Sequence, residues 1–181
     1  MQDLGDMDLV TLAKAAPGGA AFDALARRHQ APLRAFLRRL SGDAALADDL
    51  AQEALLKAFR AIGAFRGGSS FRSWLFAIAL RELQMAKRRA RSQPPERPDT
   101  DERDSAGDDP RDSFSLDLRA ALASLSEEER AAALLCDAAG FSHAEAARVM
   151  GAPLGSVKTY VARARERLRA ALSADDTAIS A

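Results

Sequence analysis

LSEEERAAALLCDAAGFSHAEAARVMGAPLGSVKTYVARARERLRAAL, residues Leu125 to Leu172, decides the fold. It contains two short helical stretches, a tight turn and a further helix whose exposed side is almost wholly basic. Ser126 with Glu129, and Ser142 with Glu145, each fit a capping box, in which the serine and the acid satisfy each other's backbone N–H. Gly140 stands where the first helix should end, and Gly151 makes the turn into the last one. Pro153 suits a first helical turn, where no backbone donor is needed. Ala146, Ala147 and Met150 are expected to face a core, as are Val157, Val161, Ala164 and Leu168. The pattern is that of a helix-turn-helix, which lays its second helix in the DNA major groove. Side chains near the start of such a helix reach bases, and later arginines more often meet phosphate. Lys158, Thr159 and Arg163 are therefore candidate base readers; Arg148, Arg165 and Arg167 are phosphate contacts or plain surface. The competing reading is a three-helix bundle with a basic exterior. Agreement between turn, caps and basic helix favours DNA.

Upstream, nearly every periodic stretch is helical, rich in Ala, Leu, Arg and Glu and without alternating Val/Ile/Thr runs. A first helix is expected after Asp8, ending near Pro17. A second spans about Ala20 to Leu40, with Pro32 inside it as a candidate kink. Asp43 is a plausible N-cap for a third, about Ala44 to Phe65. Its core stripe reads Ala47, Ala51, Ala54, Leu55, Ala58 and Ile62. Opposite, Asp49, Gln52, Glu53, Leu56 and Arg60 fall in one narrow arc. That arc reads either as a solvated face with a stray leucine or as a partner-binding face with an apolar anchor. After the loop Gly67-Gly68-Ser69-Ser70, with Ser70 a candidate cap, a fourth helix runs from Phe71 to about Arg91. It is apolar on two sides and so sandwiched. Lys87, Arg88, Arg89 and Arg91 at its end complement the helix dipole or contact phosphate.

From Ser92 to Ser115 the composition changes. Pro94, Pro95, Pro98 and Pro110 block helix, and acids outnumber Arg97, Arg103 and Arg111. The stretch reads as an acidic, disordered linker. It separates an N-terminal domain (1–91) from a C-terminal one (116–174), giving an all-α chain of two small helical domains. The 181 residues carry 26 basic and 26 acidic side chains, so their net charge of zero supplies no global field for nucleic acid; only local patches can do so. Cys136 is the one cysteine, and with two histidines the chain is too poor in ligands for a convincing zinc site. Cys136 and His29 are expected to be packed, and His143 exposed. No nucleophile–base constellation or phosphate loop is present, so neither an enzyme nor a cofactor is expected. Met1 to Val10 carries three aspartates and no apolar run, unlike a signal peptide. The expected location is cytoplasmic, without membrane insertion.

With both halves read, the chain resembles the extracytoplasmic-function class of bacterial RNA polymerase sigma factors. The stretches ADDLAQEALLKAF (Ala47–Phe59), FRGGSSFRSWLFAIA (Phe65–Ala79) and AALASLSEEER through GSVKTYVARARERL carry the resemblance. It implies that the first domain (region two) binds the clamp helices of core polymerase and the −10 promoter element. The second (region four) would bind the −35 element and the polymerase flap. Asp48, Asp49, Gln52 and Glu53 would form the core-polymerase face, with Leu56 its apolar contact. Ser69, Ser70 and Phe71 would line the pocket for an unstacked −10 base, with Trp74 in the core. Arg81, Lys87, Arg88 and Arg89 complete the −10 set. Ser156, Lys158, Thr159, Tyr160, Arg163, Arg165 and Arg167 make up the −35 set. The chain departs from the family pattern at Arg81, where asparagine is usual, at Ser126, where proline is usual, and at Tyr160, where arginine is common. An anti-sigma protein clamping both domains is implied, and the free chain is expected to be monomeric. The elements lie about 50 Å apart, one and a half duplex turns. Two dozen extended linker residues at ~3.3 Å each can bridge that; the linker's acidity suits a basic polymerase channel. Two rivals stand beside this reading: a sigma-like decoy that only binds the anti-sigma factor, and an ordinary helix-turn-helix regulator with a helical sensor domain.

Overall fold

A computed structural model describes residues 4–92 and 116–178. The chain divides into two compact units, Met1–Ala106 and Gly107–Ala181. The expected linker, from residue 93 onward, lies outside the described residues. Among the described residues all regular structure is helical.

The N-terminal unit contains α1 (Asp6–Ala15), α2 (Ala20–Ser41), α3 (Ala44–Ala61), a 3₁₀ turn (Ile62–Ala64) and α4 (Phe71–Ser92). Helix α1 begins before Asp8, because the Asp8 carboxylate accepts the Gly5 N–H at 3.1 Å and stabilises the first turn. Pro32 does not break α2. It is exposed, as are Arg28 and Ala31 in the turn before it, so the carbonyl deprived of a donor faces water. Gly42 closes α2 in the left-handed conformation, φ 76°. Asp43 then starts α3 by accepting the Leu46 N–H at 2.9 Å. Helix α3 stops short of the expected Phe65, tightening into the 3₁₀ turn around Gly63.

The buried stripe of α3 is Ala47, Leu50, Ala51, Ala54 and Ala58. Leu55, expected there, is only half-buried, and Leu50 takes its place. Small residues on this central helix leave room for the bulky ones that α2 and α4 contribute, among them Leu33, Leu37, Phe71, Leu75 and Phe76. Helix α1 is fastened to α2 by Asp6, which pairs with Arg28 at 2.5 Å and with His29 Nε2 at 2.7 Å. Lys14 adds a hydrogen bond to the Phe65 carbonyl.

The C-terminal unit contains α5 (Leu116–Ala123), α6 (Glu127–Ala133), a π-helical turn (Leu134–Ala138), α7 (His143–Met150) and α8 (Leu154–Ala178). Both expected capping boxes form, at Ser126/Glu129 and Ser142/Glu145. Helix α6 does not run regularly to Gly140. It widens into the π turn, with the Ala139 N–H on the Leu134 carbonyl at 2.8 Å. Gly140 and Gly151 adopt left-handed φ values of 71° and 62°. Pro153 lies just outside α8 and accepts the Val157 N–H at 3.1 Å. Val149 rather than Met150 is the buried residue of the last turn of α7, and Leu168 is half-buried. Cys136 and His143 are half-buried too; burial pushes the Cys136 thiol up.

His29 is the buried titratable group of the α1–α2 contact. Burial outweighs the pull of Asp6 and lowers the imidazole pKa below its ordinary 6.5. A histidine held neutral by the fold stabilises it above the unfolded pKa and loses that contribution as pH falls through the lower folded value. The thermal stability of the N-terminal unit should therefore begin to fall as pH drops below about 6.5. In His29→Gln the slope over pH 7.5 to ~5.5 should flatten; an unaltered slope would assign the sensitivity elsewhere.

Candidate functional site

Three surfaces hold the candidate residues. On α3, Asp49, Gln52 and Arg60 are exposed, Asp48 and Glu53 half-exposed, and Leu56 is 41% exposed. The arc read from helical spacing is thus a single solvent-facing strip. Glu53 on this strip, and Asp48 beside it, already have internal partners. Asp48 lies 3.6 Å from Arg34 Nε on α2, and Glu53 lies 3.4 Å from Lys57. Lys57 also reaches across to Glu82 of α4 at 2.5 Å, a hydrogen bond that raises the ammonium pKa. Asp49, Gln52 and Leu56 form the more open centre. Arg34, Lys57 and Glu82 escaped the sequence reading. Only the i,i+4 spacing of Glu53 and Lys57 was a signal.

The second surface is the loop before α4 and the outer face of that helix. Arg66, Gly67, Gly68 and Ser70 are exposed and Ser69 half-exposed. Ser70 caps α4, its Oγ accepting the Ser73 N–H at 3.1 Å and donating to Ser73 Oγ at 2.9 Å. Phe71 does not line a pocket. It is 0% exposed and sits among Phe22, Phe65, Trp74 and His29, with ring centroids 6.4, 6.3, 5.9 and 5.5 Å away. The reason is its place on the inward face it shares with Leu75 and Ala79. Trp74, expected in the core, stands at the edge of that face. It packs on Phe65 at 5.0 Å and keeps part of its ring in solvent. Further along, Arg81, Gln84, Met85 and Arg88 share one exposed face at i, i+3, i+4 and i+7. Arg89 lies to one side, while half-exposed Lys87 points roughly 120° away from Arg81. Arg81 is about 16 Å of helix from Ser70, so these residues form a long strip and not a cluster.

The third surface is the first half of α8. Lys158, Thr159 and Arg163 are exposed together, and Ser156 and Tyr160 are half-buried beside them. The Thr159 hydroxyl donates to the Gly155 carbonyl at 3.0 Å. Arg165 and Arg167 are exposed and pair with this unit's own acids. Arg165 forks onto Asp137, Nη2–Oδ1 2.5 Å and Nε–Oδ2 3.2 Å. Arg167 Nη1 reaches Glu129 at 3.0 Å. The sequence leaves both as phosphate contacts or plain surface; each has an acidic partner within the unit. Among the described residues no group of His, Cys, Asp and Glu could hold a metal ion. No helix among them is long and apolar enough to cross a membrane.

Residues 25–93 match the Sigma-70 region 2 family and residues 115–168 the Sigma-70 region 4 family. The chain is 40% identical over 146 residues to the ECF RNA polymerase sigma factor EcfG of Rhodopseudomonas palustris, covering 79% of this chain and 80% of the relative. It is 33% identical over 164 residues to the ECF RNA polymerase sigma-E factor of Escherichia coli, covering 82% and 84%. Among solved structures it resembles the sigma factor RpoE of Bartonella quintana, crystallised with the anti-sigma factor NepR. That match has a TM-score of 0.68 and 33% identity, covering 87% of this chain and 99% of the other. CnrH in complex with the cytosolic domain of CnrY matches with a TM-score of 0.70 and 26% identity, covering 94% and 98%.

The reassignment of Phe71 is directly testable. Phe71→Ala should cost the N-terminal unit about 3–5 kcal/mol of unfolding free energy, the usual loss for a buried aromatic. Trp74→Ala, at a partly solvated position, should cost clearly less. Equal losses in denaturant titrations would contradict the assignment.

Proposed function

The chain belongs to the extracytoplasmic-function class of RNA polymerase sigma factors, and from that membership we propose how its surfaces divide the work. Residues 1–91 act as region two and 116–174 as region four, with 92–115 as the connecting tether. The α3 strip docks on core polymerase: Leu56 is the apolar anchor, in line with Asp49 and Gln52, with Asp48 and Glu53 at the margins. An exposed leucine in line with Asp49, Gln52 and Glu53 on one solvent-facing strip is the observation that carries this reading. It has the anatomy of a small interface, an apolar contact bordered by polar groups.

The loop at Gly67–Ser70 and the face of α4 bearing Arg81 and Arg88 take the −10 element, with Arg89 and Lys87 beside it. The exposed loop backbone and the Ser69 hydroxyl meet the unstacked base, and Phe71 supports the loop from beneath. Lys158, Thr159 and Arg163 read the −35 element in the major groove, with Ser156 and Tyr160 flanking them. Lys158 and Arg163 suit guanine edges or nearby phosphate. An anti-sigma factor holds the protein inactive until released, as the complexes of the structural relatives suggest.

Run-off transcription with purified core polymerase tests the whole reading. Promoter-specific transcripts should depend on this chain; none would be made by a decoy or by an ordinary helix-turn-helix regulator. Asp49→Lys with Glu53→Lys should weaken core binding by at least ~10-fold, since like charge then meets the partner's basic surface. The helix content by circular dichroism should not change, because both sites face solvent. Retained core binding would place the polymerase face elsewhere.

A further inference from the structure

Arg165 and Arg167 lie on opposite flanks of the buried stripe of α8, Val157, Val161 and Ala164. At about 100° per residue, each sits roughly 70–90° from the centre of that stripe, one to either side. Their partners differ. Asp137, on the π turn, is well exposed, so its pair with Arg165 is screened by water. Glu129 is 4% exposed, and a carboxylate so buried depends on its partners. It has two. Its Oε2 accepts the Ser126 N–H at 3.2 Å and Arg167 Nη1 at 3.0 Å. The capping box holds the carboxylate, because Glu129 cannot swing away without giving up the Ser126 N–H. Arg167 is therefore tied to a rigid point on a neighbouring helix.

We propose that Arg167 is a positioning residue for promoter reading: through Glu129, and opposed by the Arg165–Asp137 pair, it sets the roll of α8 and so aims Lys158, Thr159 and Arg163. The proposal rests on the reading of α8 as the −35-reading helix. At an outer helix radius of about 5–6 Å, a roll of ~20° shifts a side chain by ~2 Å. That exceeds what a hydrogen bond to a base edge tolerates. Lys158 lies about 13 Å along the helix from Arg167, so Arg167 acts on the readers from a distance, through the stiffness of α8.

The test uses the full chain in complex with core polymerase. The probe is a duplex recovered by the wild-type complex from a pool randomised at the −35 position. Arg167→Gln should lower affinity by roughly two- to a hundredfold, within the range for coupled neighbours. It should also reduce discrimination between the selected duplex and its single-mismatch versions. The slope of log affinity against log salt should not change, whereas a lost phosphate contact would make it shallower by about 0.9. Glu129→Gln, which keeps the cap but leaves Arg167 a neutral contact in place of the ion pair, should reproduce part of the loss, and adding Arg167→Gln to it should bring the pair to the Arg167→Gln level. Arg167→Lys should recover most of the discrimination. A Leu125→Val variant, which loosens the same unit, should leave discrimination intact. If Arg167→Gln unfolds the unit, Glu129→Gln alone decides: reduced discrimination at unchanged slope supports the proposal, and unchanged discrimination overturns it. A shallower slope with intact discrimination, or no effect of Arg167→Gln, also overturns it. Arg163→Ala is the separate control. If it leaves discrimination intact, the −35 reading of α8 has failed, whatever Arg167 does.

Discussion

What the N-terminal unit offers to a partner depends on four inward-facing alanines. Ala47, Ala51, Ala54 and Ala58 are all fully buried. With only methyl groups on this side, α3 accepts α2 and α4 closely, and the large side chains of those helices fill the remaining space. The opposite side of α3 is then forced outward, with Asp49, Gln52 and Leu56 in a row. A bulkier residue in the stripe would wedge the neighbours apart. It would also separate Arg34 from Asp48 and Lys57 from Glu82, the cross-helix pairs that flank the strip.

The C-terminal unit solves a similar problem with polar groups. Its helices are short, so their ends matter as much as their faces. Two capping boxes start α6 and α7, and two left-handed glycines end what precedes the loops. One of the capping acids, Glu129, is also buried and serves α8 through Arg167. A single carboxylate thus ends one chain of backbone donors and anchors a cation from another helix. This sharing links the start of α6 to the orientation of the helix that carries Lys158 and Arg163.

Much of this was legible in the residues. Helical periodicity located α2, α3, α4 and α8, because each buries a stripe long enough to leave a regular pattern. The capping serines marked the starts of α4, α6 and α7, since their side-chain oxygens answer to a local rule. What spacing could not convey was the angle at which helices meet. Phe71 and Trp74 are three residues apart and both aromatic; only the packing of Phe22 and His29 against Phe71 decides which is enclosed. The partners of the charged groups were hidden for the same reason. Arg165 and Arg167 look like their neighbours in sequence, and nothing local says that Asp137 and Glu129 stand across from them. The π turn was also invisible, because Leu134 to Ala138 carries ordinary helix-forming residues. The Glu53–Lys57 pair shows that an acid counted as open by its helical face can already be engaged.

The π turn carries a consequence for how such chains diverge. A turn of this kind holds one residue more than the regular helix would, while the segments on both sides keep their places. Leu134–Ala138 is therefore where the polypeptide can gain or lose a single residue without shifting α6 or α7. Sister sequences one residue shorter here are expected to close the gap as ordinary helix. They would no longer push a carboxylate outward at the place Asp137 occupies, and an arginine at the Arg165 position would have to find another mate or disappear from the lineage.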